Sequence, residues 1–320
     1  MEGLQQESKV DILNDFGLMI KPNGFVGDYG CMVIFDDGVS KNELRYRLII
    51  KHIKEVNEYT NFYRIERESS VYINDKEPEN FIDILALRVS SVLYPLEVST
   101  SYKGTLSGIV NFEEIKERWK EEKKKIKTKH KGELVNKYIQ LTDQSLRSSD
   151  ILYQKMIKDW FLNLYFAPLY TSYSEDLYVE EKIKYPIAGK ATPVNYNVIK
   201  KLTDVKNSKS NDVMIKMEGE IDDERCALDL VQELDTPYYR MINKNEKDLK
   251  GTCNLTYLLN SNNGIVEGIE ANFETKFAMP KKVTVKMFLQ EVLKSENIDI
   301  DDDEDNSKPK KGFWAKLFNV

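Results

Sequence analysis

Cysteine is scarce in this 320-residue sequence, and its placement excludes the common cysteine-based sites. The three cysteines, Cys31, Cys226 and Cys253, are odd in number and far apart, and no two form a Cys-x-x-Cys pair. Neither a disulfide framework nor a zinc site is therefore indicated. We expect three buried, reduced thiols, because free cysteine is among the most buried residue types.

Histidine is scarcer still, which removes the usual base of nucleophilic catalysis. A catalytic triad needs an imidazole beside a serine or cysteine, and only His52 and His130 are present. Both are expected to be structural or solvated, because the first falls in a strand pattern and the second in a lysine-rich run. We predict no catalytic residue, no metal site and no cofactor. A carboxylate-dependent hydrolase stays open as an alternative, since 53 acidic residues supply many pairs.

Long apolar runs are also missing. No stretch approaches the roughly 18 residues of a membrane-spanning helix. The opening Met-Glu-Gly-Leu-Gln-Gln-Glu lacks the basic start and apolar run of a signal peptide. We therefore expect a cytoplasmic protein. The bias toward Lys, Asn and Ile suggests an A/T-rich genome, and we expect a bacterial or phage source.

The residues that are present can build a sizeable core. Hydrophobic residues make up 41% of the chain and aromatic residues 11%, and the length is about that of two ordinary domains. The net charge of −6 is concentrated in the tail, where seven acids lie between Ser295 and Asn306. The body before Ser295 is close to neutral, so its bulk charge argues neither for nor against nucleic acid.

The clearest structural pattern is the alternation between Gly264 and Phe277. Apolar side chains share one parity and polar side chains the other, as in a half-buried strand. The run Thr252–Leu259 precedes it, and the turn-forming residues between the two predict a hairpin. A related Gly-x-x-x-Gly-Ile core begins at Gly104.

A similar order of predicted strands and helices surrounds the hairpins at Gly104 and Gly264. We predict an α+β fold made of two antiparallel β-sheet/helix halves, related by a weak internal ββαββ repeat and joined by a helical middle. The predicted divisions are an N-terminal β-rich half with a covering helix (1–111), a helical middle (112–170), a C-terminal β-rich half (171–294), a disordered acidic linker (295–311) and a terminal docking peptide (312–320).

Three local predictions concern the body. We expect a helix over Val10–Phe16, an irregular loop over Gly24–Gly30 and a long buried helix from Ser148 to Phe166. An apolar cleft between the halves would be lined by aromatic side chains and would suit a small-molecule or lipid-binding protein. The candidate cleft residues are Trp160, Tyr165, Phe166, Phe273 and Phe277.

A charged helix is predicted over Glu113–Gly132. It carries nine basic residues from Lys116 to Lys131 and includes Trp119, which could stack on a base. Glutamates interleave with the lysines at the spacing of exposed ion pairs. We therefore favour a solvated face over nucleic-acid contact, because binding footprints usually carry one sign of charge. The expected pairs are Glu114 with Arg118 and Glu121 with Lys125.

The strongest functional pattern is the terminal peptide Gly312–Val320. Four large apolar residues fall on one face of a short helix at the end of a polar tether, and they are Phe313, Trp314, Leu317 and Phe318. They could fill a groove on a protein partner, fold back on the body or enter a membrane surface. The tether favours the partner groove, because a linker raises local concentration without fixing geometry. We predict a non-enzymatic cytoplasmic adaptor or assembly component of a larger complex.

Overall fold

Antiparallel strands dominate the structure, a computed structural model that describes residues 13–14, 17–57, 59–189, 191–204, 213–243, 246, 249–276 and 281–293. The strands are β1 (Leu13–Asn14), β2 (Gly17–Leu18), β3 (Val26–Asp36), β4 (Lys41–Asn57), β5 (Thr60–Ile73), β6 (Leu96–Ser101), β7 (Leu106–Ile109), β8 (Tyr178–Tyr185), β9 (Val194–Asp204), β10 (Val213–Ile221), β11 (Gly251–Leu259), β12 (Val266–Thr275) and β13 (Lys281–Val292). The helices are α1 (Phe81–Ser91), α2 (Phe112–Lys129), α3 (Glu133–Ser145), α4 (Ser149–Met156), α5 (Trp160–Tyr165), α6 (Ala227–Val231) and α7 (Tyr238–Ile242).

A single sheet runs through both predicted halves. It has 11 strands in the order β7-β6-β5-β4-β3-β13-β12-β11-β10-β9-β8. Its centre is the pairing of β3 with β13, in which Cys31 lies opposite Met287. The predicted α+β class is confirmed. The predicted ββαββ repeat is not, because three strands of the sheet precede the helix in each half.

The sheet is strongly curled. Nine strand spacings separate β6 from β8, which is about 43 Å in a flat sheet with strands about 4.8 Å apart. Yet Lys103, in the turn after β6, places its Nζ 3.6 Å from Oε1 of Glu181 on β8. The two ends of the sheet therefore meet, and the sheet encloses an interior.

Helix α5 lies in that interior. Five of its six residues are buried, and strands from around the curled sheet contact it. The Tyr29 hydroxyl on β3 lies 3.2 Å from that of Tyr165, and the Tyr257 hydroxyl on β11 donates to the Leu164 carbonyl at 3.1 Å. An 11-stranded sheet encloses enough space for a central helix, whereas eight strands are filled by side chains alone.

Helix α5 is separate from α4, so the predicted single helix from Ser148 to Phe166 is wrong. The Asp159 carboxylate accepts a hydrogen bond from the Leu162 amide at 2.9 Å. This is the N-cap interaction that begins a new helix. The break allows α5 to enter the interior while α4 stays beside β7, where the Tyr153 hydroxyl donates to the Leu106 carbonyl at 3.0 Å.

Two N-terminal predictions are also corrected. Leu13 and Asn14, inside the predicted helix, form β1 and pair with β2. The predicted Gly24–Gly30 loop is mostly strand, because β3 begins at Val26. A Cβ on Gly27 would lie 2.4 Å from the Phe25 ring and 2.7 Å from the Leu289 side chain, so the glycine lets both side chains pack against the strand. The glycines of this segment therefore resemble those of a loop, although packing against the rest of the sheet makes the segment a strand.

The C-terminal predictions fall on residues that the structure does not describe. The linker (295–311) and the terminal peptide (312–320) lie outside the described residues, and the domain divisions stay a prediction. Among the residues that are described, no helix is long and apolar enough to cross a membrane.

Candidate functional site

The last described strand lies in the middle of the sheet. Strand β13 lies between β3 and β12, and the Leu293 amide donates to the Val26 carbonyl at 2.9 Å. The last residues of β13 and Leu293 are thus held by β3, whereas the pairing of β13 with β12 ends at Phe288. The predicted partner-binding residues lie outside the described residues, so their role stays a prediction; they are Phe313, Trp314, Leu317 and Phe318.

Four of the five predicted cleft residues come together in the interior. The Trp160 and Phe273 ring centroids are 5.0 Å apart, and those of Tyr165 and Phe166 are 5.1 Å apart. All four side chains are buried, and these distances are those of packed aromatic pairs. Phe277 lies outside the described residues. The cluster forms the contact between α5 and the sheet.

Two tyrosines beside this cluster are chemically unusual. The rings of Tyr185 on β8 and Tyr196 on β9 lie 4.8 Å and 6.2 Å from the Phe273 ring, centroid to centroid. Both hydroxyls are buried, and within the described ranges neither has a hydrogen-bond partner. An unsatisfied buried polar group costs about 1–3 kcal/mol. The sequence prediction missed both residues, although each sits at an apolar position of an alternating strand.

The turns that contain Gly104 and Gly264 both contact Tyr170. The Tyr170 hydroxyl donates to the Gly264 carbonyl at 2.8 Å, and the Tyr170 amide donates to the Lys103 carbonyl at 3.3 Å. A Cβ on Gly104, whose φ is +86°, would lie 2.6 Å from the Tyr170 ring. Glycine therefore provides both the turn conformation and the close approach. Hairpins distant along the sheet are joined through this tyrosine.

An ion pair between a buried lysine and a half-buried glutamate completes the closure. The Lys200 side chain on β9 is 0% exposed, and its Nζ donates to the Pro168 carbonyl and to Glu181 Oε2, each at 2.6 Å. Burial lowers the pKa of Lys200, while the hydrogen bond from Lys200 to Glu181 and the charge of Glu181 oppose the shift. A buried lysine can serve as a nucleophile. Here both acceptors hold the ammonium, which ties β8, β9 and the segment after α5 together.

A second buried pair attaches the insertion that carries α6 and α7. The Asp223 and Arg225 side chains are 3% and 5% exposed and approach to 2.8 Å. Arg225 also donates to the carbonyls of Thr192, Pro193 and Leu234. Burial alone would raise the pKa of Asp223, but hydrogen bonds from Arg225 and the Asn195 amide lower it. The pair is fully hydrogen-bonded and holds the α6–α7 insertion against the segment before β9.

The histidine predicted to be structural is held by two hydrogen bonds. His52 Nδ1 accepts from the Gly24 amide at 3.1 Å, and Nε2 lies 3.0 Å from Asn61 Oδ1. This arrangement assigns the proton of the neutral ring to Nε2. Burial lowers the pKa of His52, against the opposing effect of Asn61. The imidazole is therefore neutral, and both of its nitrogens are engaged in hydrogen bonds within the body.

Several other predicted residues are placed in the body. Cys31, Cys226 and Cys253 are free and buried, which confirms the expectation of buried thiols. Trp119 is buried and donates its indole N–H to Asp143 at 2.8 Å, so its ring is not presented to a base. Arg118 Nη1 lies 3.8 Å from Glu114 as expected, whereas Lys125 pairs with Glu122 at 3.7 Å. Within the described part of the chain, no group of three or more His, Cys, Asp or Glu residues could hold a metal ion.

The chain matches no protein-family model and no curated protein. Among solved structures it is similar to a chain of lipovitellin, from a structure of lipid-protein interactions in that protein, with 10% identity and a TM-score of 0.48. The similarity covers 84% of this chain and 25% of that one, so this chain spans about a quarter of that protein's length.

Proposed function

We propose that the protein is a non-enzymatic adaptor or assembly component that binds a protein partner through a terminal peptide. The observation that carries the proposal is the central place of β13, the last described strand before the terminal segment, which pairs with β12 and with β3. The sheet is packed around its own helix α5, and Lys200 joins β8 and β9 to the segment after that helix. A firm body that carries a tether on its central strand suits a protein that connects two components.

The tether is long enough for this role. Residues 294–311 provide 18 residues between the body and Gly312. Fully extended, they span up to about 60 Å, and as a flexible coil about 23 Å on average. The peptide can therefore search for a partner near the body. Its tryptophan and phenylalanines are of the type that anchors helices in hydrophobic grooves.

The proposal is tested by comparing four forms of the full chain carrying an N-terminal affinity tag. The wild type should capture a specific protein from the native lysate. Deletion of residues 312–320 and the double variant Trp314→Ala/Phe318→Ala should lose it. The matched control Lys316→Ala/Asn319→Ala changes the same peptide away from the four apolar residues and should retain it. Equal capture by the deletion variant would refute the proposal, and unchanged thermal melting would show that the body stays folded.

A second candidate function is binding of a small amphipathic molecule or lipid inside the sheet. It is favoured by the two unpartnered hydroxyls of Tyr185 and Tyr196 beside Phe273 and Trp160. A ligand with an apolar body and one hydrogen-bonding group would match these surroundings. Organic extraction of the purified protein followed by mass spectrometry should identify a stoichiometric molecule, and Tyr185→Phe/Tyr196→Phe should reduce its amount. An extract without any such molecule would remove this candidate.

A further inference from the structure

Two short helices at one rim of the sheet expose apolar side chains. Asp229 ties them together, because its carboxylate accepts hydrogen bonds from the Cys226 amide at 2.9 Å and the Tyr239 amide at 2.7 Å. The exposed residues, which we name the α6–α7 surface, are Leu228, Val231, Tyr238, Met241 and Ile242, and between 39% and 74% of each is accessible to solvent. Grouped apolar residues with this exposure mark an interaction site.

The charge around this surface selects a basic occupant. Residues 222–242 contain six acids and two arginines, a net charge of −4. Asp222 and Glu224 line a concavity of about 490 Å³ together with Arg240 and Met241. The terminal segment 308–320 contains four lysines and no acid, a net charge of +4, and surrounds its large apolar residues with those lysines. The two segments are complementary in both charge and apolar character.

The terminal peptide can reach this surface within one molecule. The α6–α7 insertion lies between β10 and β11, at the rim where β13 begins, because Gly251 pairs with Thr275 and Thr275 with Lys281. The tail starts at the other end of β13, which is 12 residues long, or about 40 Å. The linker spans up to about 60 Å, and its run of like charges favours extended forms.

We propose that in the free protein the terminal peptide Gly312–Val320 docks on the α6–α7 surface of its own molecule and that the partner competes for it. The regulatory meaning of this contact rests on the proposed function. A tether of this kind gives an effective concentration on the order of 1 mM. A peptide that binds the surface with a Kd of about 0.1 mM is then docked about nine-tenths of the time and binds its partner about tenfold more weakly.

The test is site-specific photo-crosslinking in the full chain, with p-benzoylphenylalanine in place of Phe318. Irradiation at low micromolar concentration should give crosslinked monomer whose crosslinks map to residues 228–242. The variant Val231→Asp/Met241→Asp should abolish them. The matched control Val56→Asp/Tyr59→Asp changes exposed apolar residues at the opposite rim and should leave them intact. Crosslinks that map elsewhere, that form only between molecules or that are absent would overturn the proposal.

A second measurement separates this proposal from the proposed function. Partner capture by Val231→Asp/Met241→Asp should rise about tenfold, because the competing surface is lost. Mapped crosslinks without partner capture in any variant would refute the adaptor function and leave the internal docking established. Partner capture without mapped crosslinks would support the adaptor function and refute the internal docking. Both substituted residues are exposed, and an unchanged melting temperature confirms that the variant is folded.

Discussion

Replacing Glu181 by glutamine should destabilise the protein through the charge of Lys200. Lys200 has no exposed side-chain surface, and Glu181 is its anionic partner at 2.6 Å. Glutamine keeps the shape and an acceptor oxygen but removes the charge. Leaving a buried charge unpaired costs about 3–5 kcal/mol. Lys200 can instead lose its proton, and from a reference pKa of about 10.4 this caps the cost near 4 kcal/mol at pH 7.4. We expect Glu181→Gln to lower the free energy of unfolding by about 3 kcal/mol.

The same reasoning gives a dependence on pH. Burial lowers the pKa of Lys200, and the charge of Glu181 partly opposes this, so the pKa should fall further in the variant. A group whose pKa is depressed in the folded state contributes stability above its unfolded pKa and loses it as the pH falls. Raising the pH from 7.4 toward 9.4 should therefore reduce the deficit of the variant relative to wild type, by at most about 1.4 kcal/mol per pH unit.

The assay is urea denaturation monitored by tryptophan fluorescence, since Trp160 is buried in α5. Lys200→Met removes the ammonium, so Glu181→Gln in that background should cost less than about 1 kcal/mol and reveal a coupling of about 2 kcal/mol. The control Glu180→Gln changes the exposed neighbour and should stay within about 0.5 kcal/mol. A loss for Glu181→Gln below 0.5 kcal/mol, or one equally large beside Lys200→Met, would refute the reasoning.

Three further outcomes follow from the interior. Phe273→Ala should cost about 3–5 kcal/mol in calorimetry, because it removes a fully buried ring; a loss under 1 kcal/mol would contradict the packing described. Asp223→Asn leaves buried Arg225 without its anion and should cost about 3–5 kcal/mol in urea; near-wild-type stability would show the pair to be dispensable. Stability should fall by up to about 1 kcal/mol between pH 6.5 and 5.5, because burial lowers the pKa of His52 and the unfolded chain takes up its proton first. His52→Gln should flatten that part of the urea-derived profile, and an unchanged slope would assign it to other groups.

Local sequence patterns determined the element type where the hydrophobic period is strong. Strand β12 buries Ala271 and Phe273 and exposes Glu270 and Glu274, as its alternation predicted. The asparagine-rich run before it forms a turn, with Gly264 at a φ of +72°. These features were predictable because burial on one face of a strand imposes a two-residue period that neighbouring residues record directly.

The tertiary structure decided which elements meet. The pairing of Cys31 with Met287 joins positions that are remote in the sequence, and no local period specifies such a partner. Curling brings Lys103 to Glu181, and the cap at Asp159 turns α5 into the interior. The burial of Lys200 also depends on these contacts. A lysine within a strand is polar, so the sequence alone does not indicate that its side chain is buried. Residue period is a local property, whereas strand partners and the filling of an enclosed interior depend on the whole chain at once, so the closed sheet and its buried polar groups emerge only in three dimensions.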